Sequence, residues 1–240
     1  MSPPLVERIL QAALRENRKS LLESEAREIC RAYGMPTPDF IVARNASEAV
    51  EAAEKVAFPV VLKIMSPDIL HKSEARGVLL DLRSRDEVER GYQQVIDNTK
   101  VYNDNARVEG VIVQHMAPKG LEVIVGGIRD SQFGPTILFG LGGIFVEVLK
   151  DVTFRVAPLE ELDSREMIKE IRSYPVLKGI RGLPAADEEA IVRIIQGTSR
   201  LMLENSCVGQ IDLNPIMVYG TGANIVDARV ILTENSPVHS

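Results

Sequence analysis

Two oxygen-bearing side chains near the C-terminus form the sharpest short pattern that could do chemistry. They are Asp212 and Asn214, in the run Gly-Gln-Ile-Asp-Leu-Asn-Pro that spans 209–215. Side chains alternate along a strand, so these two project to one side while Ile211 and Leu213 enter the core. Carboxylate and amide oxygens are hard ligands that suit Mg²⁺, which also binds waters and phosphate oxygens. The alternative is an Asx turn at a strand end, the commoner use of such an isolated pattern.

Two charged residues interrupt apolar runs and pose a related question. Glu147 lies within Ile-Phe-Val-Glu-Val-Leu, and Lys63 lies within Val-Val-Leu-Lys-Ile. A charge on so apolar a segment is costly to bury unless a partner satisfies it. Glu147 is therefore a candidate second metal ligand, or else an outward-facing strand residue. Lys63 either extends to water at a sheet edge or meets phosphate. Taken with Asp212, Asn214 and Glu147, the phosphate role is favoured.

His71 is the candidate nucleophile. It lies in a polar loop, 66–77, directly after the Lys63 strand. Because histidine is close to neutral at physiological pH, its free nitrogen can attack phosphorus and later leave. Lys72 and Arg76 could offset the charge of the phosphorylated form. The alternative is an exposed histidine without a role, which is the usual condition of a histidine in a loop.

The glycine-rich segment 139–144, Phe-Gly-Leu-Gly-Gly-Ile, is predicted to turn between two strands. It does not match the strand-to-helix dinucleotide fingerprint. Its backbone N–H groups could face an anion, or its glycines could allow a partner to approach closely.

Composition narrows the class of protein. The 240 residues are 45% hydrophobic and 26% charged, which is enough apolar material for a substantial core. A net charge of −6 argues against a nucleic-acid binder. Two isolated cysteines, Cys30 and Cys207, give no zinc or redox spacing and fit a reducing compartment. We find neither a signal peptide nor a membrane span in the sequence and expect a soluble cytoplasmic protein without a membrane partner.

The periodicity predicts an α/β (α+β) chain in three parts. These are an N-terminal helix within 1–20, a small α/β lobe over 21–105 and a larger sheet-rich lobe over 106–240. Ser20 and Glu23 are predicted to form the capping box of the second helix, and Ser47 to open the third. Residues 145–149 are predicted to form a strand.

Several motifs, taken in order and spacing, resemble one family: the ATP-grasp (β) subunit of ADP-forming acetyl-CoA or acyl-CoA synthetases, related to succinyl-CoA synthetase. The resemblance covers nearly the whole chain. The motifs are Pro-Val-Val-Leu-Lys at 59–63, Ser-Pro-Asp-Ile-Leu-His-Lys-Ser at 66–73, Gly-Val-Ile-Val-Gln-His-Met at 110–116, Gly-Leu-Glu-Val-Ile-Val-Gly-Gly at 120–127, Phe-Gly-Leu-Gly-Gly at 139–143 and Asp-Leu-Asn-Pro at 212–215.

This resemblance implies an ATP-grasp fold of two lobes enclosing a nucleotide cleft, with ATP or ADP as substrate and Mg²⁺ as cofactor. It implies that Lys63 contacts the phosphates, that the strand edge at Val113, Gln114, His115 and Met116 meets adenine, and that Glu122 holds the ribose. It further implies that Asp212 and Asn214 bind Mg²⁺, with Glu147 matching less securely, and that Arg76 and Arg155 lie near phosphate.

The family reaction implied is acyl-CoA + ADP + phosphate ⇌ acid + CoA + ATP. A phosphohistidine arises on a separate CoA-binding α subunit, and His71 resembles a second histidine that relays the phosphoryl group to ADP. A partner α subunit follows from this, in an α2β2 heterotetramer. Two alternatives stay open: a stand-alone ATP-grasp carboxylate–amine ligase, and a nucleotide-sensing ATP-grasp module of an acyltransferase.

Overall fold

A computed structural model of the chain describes residues 1–69, 71–143, 146, 148–179 and 184–233. Glu147 is therefore outside the described residues. The helices are α1 (Pro4–Arg15), α2 (Glu23–Ala32), α3 (Ala46–Val56), α4 (Arg85–Tyr102), α5 (Glu161–Glu170), α6 (Tyr174–Leu177) and α7 (Glu188–Glu204). The strands are β1 (Phe40–Ala43), β2 (Val60–Met65), β3 (Val78–Leu82), β4 (Gly110–His115), β5 (Leu121–Asp130), β6 (Gly134–Leu141), β7 (Val152–Val156), β8 (Val208–Val218), β9 (Ala223–Ile225) and β10 (Ala228–Leu232).

The chain divides into two compact units. The small unit is Pro38–Ala117, and the large unit combines Met1–Thr37 with Pro118–Ser240. Each unit has its own hydrophobic core, as expected of compact parts that bury their own apolar faces.

The small unit is a four-stranded antiparallel sheet in the order β1-β4-β2-β3. Helices α3 and α4 pack on one face of this sheet. Alternate residues of β2 and β4 form the core on that face: Val60, Leu62, Ile64, Val111 and Val113. The period of two therefore assigns the remaining residues of both strands to the opposite face.

The large unit is built on a six-stranded antiparallel sheet in the order β10-β8-β5-β6-β7, with β9 pairing to β8. Helices α5 and α7 pack on one face. Its core includes Val123 and Val125 of β5, Ile137 of β6, and Ile211 and Leu213 of β8. The opposite face of the sheet carries polar residues, among them Glu122 of β5 and Asp212 of β8.

The predicted division at residue 105 is wrong. Strand β4 follows that point, yet it is an interior strand of the small sheet, so the small unit continues to Ala117. Helix α2 was also predicted to belong to the small lobe. Instead it packs on β10, where the Leu21 backbone N–H donates to the Val230 carbonyl at 3.0 Å.

Three local predictions also need correction. The capping box at α2 is formed by Glu25, whose carboxylate accepts from the Leu22 N–H at 2.8 Å. Asn45, not Ser47, caps α3 and accepts from the Glu48 N–H at 2.9 Å. The strand predicted over 145–149 is partly outside the described residues, and Val148 and Leu149 lie in a turn.

Within the described ranges, every helix is too short or too polar to cross a lipid bilayer.

Candidate functional site

The polar face of the large sheet carries Asp212 and Asn214. Their neighbours Ile211 and Leu213 are buried in the core, so alternation places both oxygen-bearing side chains on the face away from α5 and α7. Asp212 lies opposite Gly126 of β5 and Arg229 of β10. The alternation inferred from the sequence is therefore observed.

A third oxygen-bearing side chain, that of Asp227, was missed by the sequence analysis. The Asn214 N–H donates to the Asp227 carbonyl at 3.3 Å, directly before β10 begins. Because Ala228 lies opposite Leu213 and Arg229 opposite Asp212, the register places Asp227 beside Asn214. Partners directly across two strands project from the same face.

The signal for Asp227 was present in the sequence. Core residues Ala228, Val230 and Leu232 alternate along β10. The same alternation, followed backwards by one residue, assigns Asp227 to the polar face. What the sequence could not supply was the register that pairs it with Asn214.

The charges on this face are partly compensated within the protein. An Arg229 Nη2 lies 3.3 Å from an Asp212 carboxylate oxygen. Among the described residues, no three His, Cys, Asp or Glu side chains converge as metal ligands. Magnesium is commonly held by one or two carboxylates with waters and substrate phosphates. Asp212, Asn214 and Asp227 match that requirement in donor chemistry.

Glu122 projects from the same face of the large sheet, because its neighbours Val123 and Val125 lie in the core. The glycine-rich turn packs against it. The Gly142 N–H donates to the Glu122 carbonyl at 2.8 Å, and a Cβ on Gly142 would lie 2.9 Å from the Glu122 Cβ. Glycine at position 142 therefore allows β5 of the same chain to approach closely.

Arg155 does not lie with these residues. It is opposite Ile137 on β6, a core residue, so its side chain projects from the face covered by helices. There it forms an ion pair with Glu170 of α5, and this hydrogen bond raises the pKa of the guanidinium. The structure therefore does not bring Arg155 together with Asp212 and Glu122, which are on the other face, and its position near phosphate stays a prediction.

In the small unit, Lys63 is almost fully buried, with 4% of its surface exposed. Strand β2 lies between β3 and β4, so Lys63 is not at a sheet edge from which it could simply extend to water. It lies opposite Ile112 and Val78, on the face away from α3 and α4. The fully buried Gln114 shares this face, since it lies opposite Val61.

The prediction that 113–116 forms a strand edge is wrong for its first two residues. Strand β4 lies between β1 and β2, and Val113 and Gln114 have partners on both sides. The ladder ends just beyond, where the Met116 N–H donates to the Pro59 carbonyl at 2.8 Å. Proline has no N–H, so Pro59 cannot return a bond to the Met116 carbonyl.

His115 is fixed by a backbone contact at this end of β4. Its Nδ1 lies 2.8 Å from the Ala57 carbonyl oxygen. A carbonyl oxygen can only accept, so Nδ1 carries the hydrogen and, in the neutral ring, Nε2 is the acceptor.

The loop that carries His71 begins and ends beside Lys63. It leaves β2 after Met65 and returns at Val78, which lies opposite Lys63 in the ladder. The imidazole is 57% exposed, and its Nδ1 is 4.0 Å from a Glu74 carboxylate oxygen. The Arg76 side chain is also exposed, at a backbone φ of 48°.

Both ends of this loop are anchored. Asp68 accepts from the Arg107 backbone N–H at 2.9 Å and from its guanidinium at 3.1 and 3.2 Å. These hydrogen bonds hold the pKa of the Asp68 carboxyl below its ordinary value. At the other end, a Cβ on Gly77 would lie 2.4 Å from the Ile64 side chain. The buried side chains of Ile69 and Ala75 lie between these ends.

Comparison with known proteins places this geometry in a class. The family model described as "ATP-grasp domain" matches residues 12–232. The chain belongs to this family, and its two antiparallel sheets with helices form the ATP-grasp fold.

Sequence similarity identifies a narrower group of relatives than the fold alone does. The chain is 49% identical over 224 residues to the β subunit of acetate–CoA ligase (ADP-forming) I from Pyrococcus furiosus, covering 93% of this chain and 96% of that one. It is 40% identical to acetate–CoA ligase (ADP-forming) I from Archaeoglobus fulgidus, covering 96% of this chain and 33% of that longer one. The chain is thus homologous to the β subunits of ADP-forming acetate–CoA ligases.

Solved structures agree. Acetyl-coenzyme A synthetase 1 from Ca. Korarchaeum cryptofilum, in complex with coenzyme A, Ca-AMPCP and HgCl⁺, superimposes with a TM-score of 0.93 at 46% identity, covering 95% of this chain and 99% of that one. A second structure of that protein contains coenzyme A and Mg-AMPPCP, with its phosphohistidine segment pointing towards the nucleotide-binding site. Its TM-score is 0.83 at 43% identity, covering 95% and 100%.

Proposed function

We propose that this chain is the nucleotide-binding subunit of an ADP-forming acyl-CoA synthetase and that His71 relays a phosphoryl group to ADP. The observation that carries the proposal is the placement of His71: an exposed imidazole on a loop that is anchored at both ends and returns opposite the buried Lys63. The homology to acetate–CoA ligase β subunits supports it.

Several groups of the small unit are proposed to bind nucleotide. Lys63 and Arg76 would donate to phosphate oxygens as charge-assisted hydrogen bonds. The backbone of His115 and Met116, where the ladder of β4 ends, would bind the adenine edge. Val113 and Gln114 would contribute only side-chain surface, because their backbone groups are paired in the sheet.

In the large unit, we assign Glu122 to the ribose hydroxyls and Asp212, Asn214 and Asp227 to Mg²⁺. Their oxygens are the hard donors that this ion prefers. The bound ion would neutralise phosphate charge. Arg229 would stabilise Asp212 while the ion is absent, since the two already form an ion pair.

The His71 step is a pair of displacements. A neutral imidazole nitrogen attacks the phosphorus of a phosphohistidine on the partner, forming one P–N bond as the partner's P–N bond breaks. A terminal oxygen of ADP then attacks phosphorus, a P–O bond forms and the His71 P–N bond breaks, which gives ATP and a neutral ring. Holding the reactants in line and offsetting charge is most of what such a transfer requires.

The thioester chemistry would take place on a CoA-binding α subunit, with acetate or another small acid as the acyl group. An α2β2 heterotetramer is the proposed assembly. The name "subunit beta" of the Pyrococcus furiosus relative supports a separate partner.

Phosphohistidine mapping tests the relay directly, because the reverse of the second displacement, from ATP to His71, requires only ATP, Mg²⁺ and this chain. Wild-type chain incubated with γ-radiolabelled ATP and Mg²⁺ should acquire acid-labile label, and His71→Asn should acquire none while binding ADP normally. Equal labelling of the variant would contradict the relay. A stand-alone ligase or a nucleotide sensor predicts no labelled histidine in either protein.

A further inference from the structure

Helix α2 contains a buried ion pair that the proposed chemistry does not use. Arg27 has no exposed surface and Glu23 has 6%, and an Arg27 Nη2 lies 2.5 Å from a Glu23 carboxylate oxygen. Burying two charges carries a large desolvation cost, and well-packed apolar residues of similar size often give equal or greater stability. Stability alone therefore does not explain this pair.

Arg27 also makes a contact that reaches far along the chain. Its Nη2 donates to the Val226 carbonyl at 2.6 Å, across 199 positions of sequence. Val226 and Asp227 form the short connection between β9 and β10. The Val226 carbonyl belongs to the peptide group that enters Asp227, so this bond fixes the backbone orientation from which the Asp227 side chain leaves.

The same connection is bonded to the strand that carries the proposed metal ligands. The Val226 N–H donates to the Pro215 carbonyl at 2.9 Å, and the Asn214 N–H donates to the Asp227 carbonyl at 3.3 Å. Arg27 thus completes a set of three hydrogen bonds that hold Asp227 beside Asn214.

Arginine suits this task better than lysine because of its reach. Both contacts are made by Nη2, which carries two N–H donors and lies one atom further from the backbone than a lysine ammonium would. Glu23 in turn holds the guanidinium in place from one turn earlier on α2.

We propose that Arg27 is a positioning residue for the divalent cation: it holds the Val226–Asp227 connection so that the Asp227 carboxylate meets the metal beside Asn214. This inference rests on the proposed Mg²⁺ site. It assigns a role to α2, which lies outside the nucleotide motifs, and explains why a buried charge pair is present there.

Replacing both Glu23 and Arg27 distinguishes a role in positioning Asp227 from a role in folding. The variant carrying Glu23→Met and Arg27→Met removes the Val226 contact without leaving a lone buried charge. We expect its melting temperature and its ADP affinity in EDTA to stay near the wild-type values. Its affinity for Mn²⁺ in the presence of ADP, measured by electron paramagnetic resonance, should fall by about 10- to 100-fold, as for other residues that orient metal ligands.

Asp227→Asn provides a second test, because Arg27 is proposed to act through Asp227. Combining it with the methionine pair should weaken Mn²⁺ binding little more than Asp227→Asn does alone. Fully additive losses, or wild-type Mn²⁺ affinity in the methionine pair, would overturn the role of Arg27.

Two controls keep the outcomes distinct. If the methionine pair fails to fold, Arg27→Lys replaces it: we expect a several-fold loss of Mn²⁺ affinity, because the lysine side chain is one atom shorter and its ammonium does not reach the position of Nη2. Wild-type affinity in folded Arg27→Lys would also overturn the proposal.

If Asp227→Asn and Asn214→Ala both bind Mn²⁺ normally, the metal site itself is wrong, and the inference about Arg27 fails with it.

Discussion

At the scale of single residues, Lys63 shows how burial can separate two interpretations of one sequence feature. A lysine at a sheet edge extends to water, but Lys63 lies on an interior strand with 4% of its surface exposed. Phosphate oxygens accept charge-assisted hydrogen bonds from an ammonium group, so a position inside the sheet agrees with the proposed role in nucleotide binding better than with simple extension to water.

Replacing Lys63 with methionine should therefore weaken ADP binding more than it weakens the fold. Methionine keeps most of the apolar stem, so the melting temperature should change little. Loss of a hydrogen bond to a charged group predicts a dissociation constant about 10- to 100-fold higher, measurable by calorimetry. Lys55→Met, on the exposed side of α3, is the matched control and should bind ADP as the wild type does. Equal affinity in the two variants would exclude Lys63 from the phosphate site.

At the scale of elements, the decisive feature is the loop between β2 and β3. The sequence predicted a polar loop over 66–77. The structure fixes it at Asp68 through Arg107 and at Gly77 through contact with Ile64. His71 lies between these anchors with its imidazole 57% exposed, on a loop that returns to the sheet opposite Lys63.

Arg107→Ala should release the end of the loop that Asp68 anchors. We expect faster amide hydrogen exchange over 66–77 and slower phosphorylation of His71, with a small change in overall stability because the ion pair is partly exposed. Arg83→Ala, which removes the exposed pair with Asp81, is the control. Unchanged exchange in Arg107→Ala would show that the apolar contacts alone hold the loop.

The pH dependence of this anchor has a definite sign. Arg107 lowers the pKa of Asp68 in the folded protein, so the contact stabilises the loop above the ordinary aspartate pKa of about 4. It is lost as the pH falls through the lowered value. Exchange over the loop should therefore be insensitive to this group between about pH 5 and 8 and increase only in acid.

At the scale of the whole molecule, both cysteines lie in the large unit. Cys30 is fully buried on α2, and burial raises the pKa of its thiol to about 12 despite the nearby Arg27. Burial also raises the pKa of Cys207. Because the thiolate is the reactive form, both should react slowly in the native protein.

Thiol labelling can therefore measure the unfolding of the large unit. In Cys207→Ser, labelling of Cys30 at pH 7 should follow the unfolding of the large unit under increasing urea, with almost none in buffer. The wild type should label first at Cys207, which is only half-buried. Rapid modification of Cys30 in buffer would show that α2 detaches from β10 in the native state, and would weaken the assignment of Arg27 as well.

The sequence by itself determined the features that depend on local pattern. The order of the motifs identified the ATP-grasp family, and alternation along 209–215 assigned Asp212 and Asn214 to the face opposite Leu213. Most helices and strands followed from periodicity. These properties are local, because a period of two or 3.6 residues acts within one segment.

Only the tertiary structure decided which segments are neighbours. It placed Asp227 beside Asn214, made β4 an interior strand, put Arg155 on the helix-covered face and joined α2 to the large unit. Each of these depends on strand order and register, which the burial of whole sheet faces selects across distant parts of the chain. A local pattern gives the face of a residue, but the partner across the sheet is set by the complete fold.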